Sequence, residues 1–305
     1  MTACTGVSTL RGFGSASVGS SPSPASTIRR ENRCGSRNTN ANVACSSSYI
    51  ATRCSGVRRR HSVVALSSAA EEGSTLSESR SSPGKVSVEM RACYDLVERM
   101  GRGAVYLGSA RVPEDHPHFK AAEELARDVA ATFDCTTWSG LGAGMMEAVT
   151  RGGKAANKPV AGFMILLEAG GVRQASRTHP YLPDDVYHTT SFFSARKHGL
   201  VDAGVRVEPS DRTAFFALPG GVGTLDEIFE VLALLQLKRM GTAHPVPFIV
   251  MNYDGCFDGL LQFLERDMVR YGSLSDGELK PHWKVCETNE EALSYLQEFY
   301  DADGR

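Results

Sequence analysis

From Val86 onward the chain alternates short, almost wholly apolar runs with longer stretches whose apolar residues recur every three or four positions. The short runs are 104–107, 135–138, 159–167, 214–218, 248–251 and 283–286, with 186–188 a weaker one. Between them, 86–100, 117–132, 145–157, 192–203, 224–239, 256–270 and 289–300 read as helices. In the second of these, Phe119, Ala122, Leu125 and Val129 share one face. Residues 168–184 read as loop. Apolar strands alternating with amphipathic helices indicate a parallel sheet covered on both faces. The expected fold is therefore α/β, a Rossmann-like doubly wound parallel sheet, formed as a single domain over residues 86–305. In such open sheets ligands sit at the carboxyl ends of the strands, near the switch in strand order.

The residues before this pattern have another composition. Residues 1–70 carry nine Arg, no Lys, fifteen Ser and a single acid, Glu31, a formal charge of +8. The remaining 24 basic and 34 acidic residues give the rest of the chain −10. An Arg- and Ser-rich, acid-poor start reads as an organelle transit peptide, with too little apolar content to build a core. The Ser and Ala content favours the chloroplast, with the mitochondrion or cytoplasm as runners-up. Residues 71–85, rich in Glu, Ser, Pro and Gly, read as linker. The acidic body argues against a nucleic-acid polymer as partner. No stretch approaches the ~18 apolar residues of a membrane span, so no membrane partner is expected. The body cysteines Cys93, Cys135, Cys256 and Cys286 are widely spaced, as in a reduced protein with buried thiols.

Three glycine-bearing segments follow a strand and precede a helix: Gly108-Ser109-Ala110-Arg111, Gly140-Leu141-Gly142-Ala143-Gly144 and Pro219-Gly220-Gly221-Val222-Gly223-Thr224. Helix N-termini offer free amides and a positive dipole end, so three such loops on one sheet edge predict an anion pocket. The second loop is not the dinucleotide fingerprint, whose third glycine comes one residue later, and the third lacks the Gly-Lys-Ser/Thr ending of a P-loop. ATP hydrolysis is not expected. Thr224-Leu225-Asp226-Glu227 has two readings. It is a capping box, in which Glu227 reaches back to the Thr224 amide. Alternatively, phosphate takes the amides of residues 221–224 and Glu227 is freed to face the pocket.

Pro219-Gly220-Gly221-Val222-Gly223-Thr224-Leu225-Asp226-Glu227 matches the P-G-G-x-G-T-x-x-E motif of the Lonely Guy family, whose members are cytokinin riboside 5′-monophosphate phosphoribohydrolases often labelled lysine decarboxylases. Phe192-Phe193-Ser194-Ala195-Arg196-Lys197 resembles the family's second signature, an aromatic or Met shortly before Arg-Lys. Residues 139–148, ending Met146-Glu147-Ala148, and Gly108-Ser109-Ala110-Arg111 resemble the glycine-rich segment and first loop of its longer members. Ala143 stands where those members often have Pro, and Phe193 replaces the Met of the short plant enzymes.

The resemblance implies hydrolysis of the N-glycosidic bond of a purine nucleoside 5′-monophosphate, with N6-substituted AMP as substrate, free base and ribose 5-phosphate as products, and no cofactor or metal. It implies Glu227 and Arg196 as catalytic residues. A carboxylate suits a developing oxocarbenium ion or an attacking water, and a forked, permanently charged Arg suits anionic charge. Gly220, Gly221, Gly223 and Thr224 would cradle the 5′-phosphate. Gly142, Gly144, Ser109, Arg111 and Lys197 would contribute to binding, although Lys197 one residue after Arg196 points elsewhere on the helix. Glu147 would hold ribose hydroxyls or merely favour its helix N-terminus. Met145 and Met146 read as core. His116-x-His118 lacks a metal-ligand pattern. A lysine decarboxylase would need pyridoxal phosphate on a Schiff-base Lys, and no lysine stands in such a context. Alternatives to the cytokinin reading are AMP-directed salvage and a non-catalytic carrier of the molybdenum-cofactor type. The family implies a homo-oligomer, at least a dimer. The apolar positions Leu225, Ile228, Leu232 and Leu235 suit either that interface or the core.

Overall fold

The computed structural model describes residues 83–166 and 178–303, with the backbone of 168–169 and 172–173. These residues belong to the second of two units into which the chain divides, Ala65–Arg305. The expected leader over 1–70 and most of the expected linker lie outside the described residues. The linker's last three residues are helical instead. α1 spans Pro83–Met100, and Pro83 stands where a missing N–H costs nothing.

There follow β1 (Gly103–Leu107), α2 (Pro117–Phe133), β2 (Thr136–Ser139), α3 (Met145–Ala155) and β3 (Val160–Ile165). Two short antiparallel strands, β4 (Glu168–Ala169) and β5 (Val172–Arg173), lie where a loop is expected. Then come β6 (Tyr187–Thr190), α4 (Phe193–Gly204), β7 (Ala214–Ala217), α5 (Val222–Gln236), β8 (Phe248–Met251), α6 (Asp258–Gln262), α7 (Met268–Arg270), β9 (Lys284–Cys286) and α8 (Asn289–Asp303). The helix expected over 256–270 is broken. A 3-10 turn at Tyr253–Gly255 precedes α6, and the π-helical Phe263–Asp267 separates α6 from α7. Asn252 starts the segment by accepting the Phe257 N–H at 2.8 Å through its side-chain oxygen.

Seven strands form one sheet in the order β6-β3-β2-β1-β7-β8-β9, every neighbouring pair parallel. Alternate residues of each strand enter opposite cores, as the two-residue period requires. Val105, Leu107, Phe215 and Ala217 meet α1, α4 and α5 on one face. Ala104, Tyr106, Ala214 and Phe216 meet α2, α3 and α8 on the other. This double cover explains why β1, β3, β7 and β8 are apolar throughout, while β2 buries Thr136, Thr137 and Ser139 beside Trp138. The expected doubly wound sheet is present, and its order reverses between β1 and β7, where the chain leaves the two strands in opposite directions and opens a crevice. Cys93, Cys135 and Cys286 are buried free thiols, whereas Cys256 is free but exposed.

Candidate functional site

The three glycine-bearing loops meet at that crevice. The Leu218 N–H bonds the Leu107 carbonyl at 2.8 Å, Ser109 N–H bonds Pro219 at 3.2 Å and Met145 N–H bonds Ser109 at 2.8 Å. Backbone alone thus sews the loops after β1, β2 and β7 together. Around them opens a cavity of about 560 Å³, within the ~300–1,000 Å³ range of small-molecule sites. Its floor comes from Ser109, Arg111, Gly142, Gly221, Gly223 and Thr224. Its apolar wall comes from Leu141, Met146, Met164, Ile165 and Phe193, and Arg196 and Glu227 enter it from α4 and α5.

α5 begins two residues before the expected start. Its N-cap is Gly221, which supplies no side-chain cap, so Gly223 and Thr224 lie inside the first turn. The capping box is therefore not formed. Glu227 instead accepts a hydrogen bond from Arg196 at 2.9 Å. α3 likewise starts from a glycine, Gly144, without a side-chain cap. Two helix N-termini consequently meet the cavity edge with their first amides uncapped by side chains.

Arg196 is held on every side. Its Nε donates to the Phe163 carbonyl at 2.9 Å and its second terminal nitrogen to the Met146 sulfur at 3.7 Å. The guanidinium also lies 5.8 Å from the Phe193 ring centre. Gly140 makes this seat possible, since a Cβ there would fall 1.7 Å from an Arg196 nitrogen. Both members of the ion pair are nearly buried, with side-chain exposures of 8 % and 11 %. Burial pushes the Glu227 carboxyl above the ordinary glutamate range, and the Arg196 charge pulls part of that rise back.

Several expected site residues stand elsewhere. Lys197 points away from the cavity and pairs with Asp226 at 3.0 Å and Glu230 at 3.1 Å. Burial works against its charge, but these hydrogen bonds outweigh it and its pKa is raised. The cause is geometric: one residue along a helix turns a side chain by about 100°. Glu147 faces Arg151 at 2.7 Å and accepts the Tyr181 hydroxyl at 2.8 Å, outside the cavity lining. Arg151 in turn holds Glu114 at 2.8 Å and so ties α3 to the segment after β1, while Glu147 ties it through Tyr181 to the segment before β6. Gly220 and Gly144 do not line the cavity either. Gly220 leaves space for the Thr224 side chain, and Gly144 adopts φ +66° against the Ser109 carbonyl. Met145 is core as expected, but Met146 lines the cavity. Ile228 and Leu232 are core, with Leu225 and Leu235 packed against it. Gly140 belongs to an expected pocket loop, but its role as the seat of Arg196, and Met164 and Ile165 altogether, escaped the sequence. Only the close approach of Arg196 marks the first, and strand-like apolarity conceals the other two.

The family model described as "possible lysine decarboxylase" matches residues 146–296. A probable cytokinin riboside 5′-monophosphate phosphoribohydrolase of Oryza sativa subsp. japonica is 33% identical over 90 residues, 28% of this chain and 33% of that protein. A cytokinin riboside 5′-monophosphate phosphoribohydrolase of Arabidopsis thaliana is 37% identical over 89 residues, 28% of this chain and 35% of that protein. The aligned segments thus span about a third of these relatives. Among solved structures, the molybdenum cofactor binding protein of Rippkaea orientalis is 18% identical, covering 66% of this chain and 98% of its own, with a TM-score of 0.39, a likeness too slight to bear on function. The motif at the start of α5, the family model and these relatives agree, and over residues 146–296 the chain is similar to the Lonely Guy family.

Proposed function

We propose that this protein hydrolyses the N-glycosidic bond of cytokinin riboside 5′-monophosphates. The observation that carries the reading is the direction of Glu227, which faces the cavity against Arg196 instead of capping its own helix. In this mechanism the 5′-phosphate takes the free amides of the first turn of α5, with Ser109, Arg111 and Thr224 at the same floor. The ribose then lies toward Glu227, one helical turn further along. The Glu227 carboxylate stabilises the oxocarbenium character at C1′ and orients water onto it. Water supplies the hydroxyl that joins C1′ and the proton that completes the departing base. Arg196 keeps the buried carboxylate ionised and close. A carrier would need the anion cradle but not this pair. The apolar wall of Met146, Met164, Ile165 and Phe193 suits an N6 hydrocarbon substituent better than the bare amino group of AMP.

The working form is a homodimer, supported by exposed apolar side chains from the start of α5, where Val222 also edges the cavity, to its C-cap Leu237. Val222, Phe229 and Leu237 are 84 %, 37 % and 66 % exposed. Residues 1–70 direct the chain to the plastid stroma, supported by their composition. A fusion of these residues to a fluorescent protein tests the address, and sedimentation of the full chain tests the dimer. The activity is tested by incubating the full chain separately with isopentenyladenosine monophosphate and AMP and assaying free base and ribose 5-phosphate. Preferential release from the first is expected, and no release from either would remove the enzyme reading.

A further inference from the structure

α4 carries Arg196 and Phe193, yet its own sequence does not cap it. Its N-cap, Phe192, has no side chain able to accept the free amides of the first turn. The N–H groups of the two residues that lead into the helix, Ser191 and Phe192, are instead met from another helix. Both carboxylate oxygens of Glu89, on α1, lie 3.0 Å from the Ser191 nitrogen, and Oε2 lies 3.1 Å from the Phe192 nitrogen. Phe192 is in turn the residue whose carbonyl receives the Arg196 N–H, at 3.2 Å. Glu89 is therefore one peptide unit and one hydrogen bond from the backbone of the buried arginine.

α1 is a firm platform for this contact. Gly199 of α4 allows the two helices to approach so closely that a Cβ there would lie 2.9 Å from the Cys93 Cβ. Arg99 donates to the Asp185 carbonyl at 2.6 Å, and just past the end of α1 Arg102 pairs with Asp202 of α4 at 3.3 Å. α1 also lies wholly outside residues 146–296, the part of the chain that the family model matches.

We propose that Glu89 is a positioning residue. It clamps the entry of α4 and so sets the depth at which Arg196 meets Glu227. The proposal rests on the phosphoribohydrolase reading for its kinetic consequence, but not for its geometry. Arg196 is gripped by Glu227 and Phe163 at its tip and by the α4 backbone at its root. Releasing the root lets the guanidinium recede from the carboxylate, which then loses part of the charge that keeps it ionised. Phosphate binding on α5 does not depend on that contact.

The full chain carrying Glu89→Ala is expected to show kcat about tenfold lower on isopentenyladenosine monophosphate, because small misplacements at a reacting centre are costly. KM should be unchanged, and the acid limb of the pH–rate profile should move to higher pH. Glu89→Gln keeps an acceptor for the two amides and should restore most of the rate. A Glu89→Ala protein with wild-type kcat and acid limb, whatever its Tm, would overturn the proposal. Glu89→Asp, one methylene short, gives the same split if the Ala variant does not fold. If the unaltered chain releases no base from any nucleotide, the functional reading fails, and the clamp is read instead from the Glu227 carboxyl by ¹³C NMR. Its titration should rise in Glu89→Ala, and an unchanged titration would dispose of the clamp.

Discussion

Glu227 and Arg196 form a pair whose energetic logic differs from that of a surface salt bridge. Exposed pairs contribute little, whereas a buried partner left alone carries a desolvated charge. Glu227→Gln keeps the shape of the side chain and removes the carboxylate, and should lower kcat by about 100-fold or more, the scale of a lost acid–base group. The pH dependence follows from the direction of the shift. In the proposed mechanism ionised Glu227 is the working form, and burial raises its pKa, so activity should fall as pH drops through a value above the ordinary ~4.3 of glutamate. Arg196→Gln removes the charge that opposes this rise. The residual activity should then show its acid limb at still higher pH, as read from kcat/KM. Gly140 belongs to the same account, because Gly140→Ala puts a methyl group into the guanidinium seat and should reduce kcat as the arginine is displaced.

At the scale of elements, the start of α5 decides how the glycine motif works. Thr224-Leu225-Asp226-Glu227 has the spelling of a capping box, and spelling alone left both arrangements open. The helix begins instead at Val222, so the threonine is internal and the glutamate is one turn too deep to cap anything. This separates stability from function at Gly223. A Cβ there meets nothing within 4 Å, and alanine in a helix is favoured over glycine by about 0.5–1 kcal/mol. Gly223→Ala should therefore leave Tm unchanged or raise it, while crowding the phosphate seat and raising KM. A destabilised variant with normal KM would show that the glycine serves the fold. Lys197 and Glu147 teach the complementary lesson. Their residue types fit an anion and a sugar, but the one braces α4 on α5 and the other braces α3, through Tyr181, on the segment before β6.

For the whole molecule, the sheet sets everything else. Its order reverses between β1 and β7, and only there can loops from both halves approach one ligand. Trp138 holds the centre, fully buried on β2, with its indole N–H donating to the Gly101 carbonyl at 3.0 Å and its ring 5.4 Å from Phe163. Trp138→Ala should cost about 3–5 kcal/mol, the range for aromatic-to-alanine changes in cores. Calorimetry would register it as a large fall in Tm. Because Phe163 also supplies the carbonyl that holds Arg196, the remaining folded fraction should show a lower kcat as well.

The fold was legible because strands buried on both faces, as β1, β3, β7 and β8 are, run apolar from end to end, and a helix covering them is apolar on one stripe. Both periods are written locally. The boundaries that failed lie where tertiary contacts override local preference. Asn252 fixes the start of α6 through its side-chain bonds to Phe257 and Asp258, the π-helical Phe263–Asp267 interrupts the helix expected over 256–270, and α1 extends back into the expected linker. The glycine loops and the Arg196–Glu227 pair were legible because their residue types are costly or unusual where they stand. Local pattern thus specifies the sheet, the loops that end its strands and the chemistry available at their tips. Only the tertiary structure decided which side chains face the cavity. Facing depends on where a helix begins and on what packs behind it. A shift of two residues at the start of α5, or of one residue from Arg196 to Lys197, rotates a side chain between the cavity and a brace. No local pattern records that rotation, because the partners that settle it, Gly140, Phe163 and Glu89, come from distant parts of the chain.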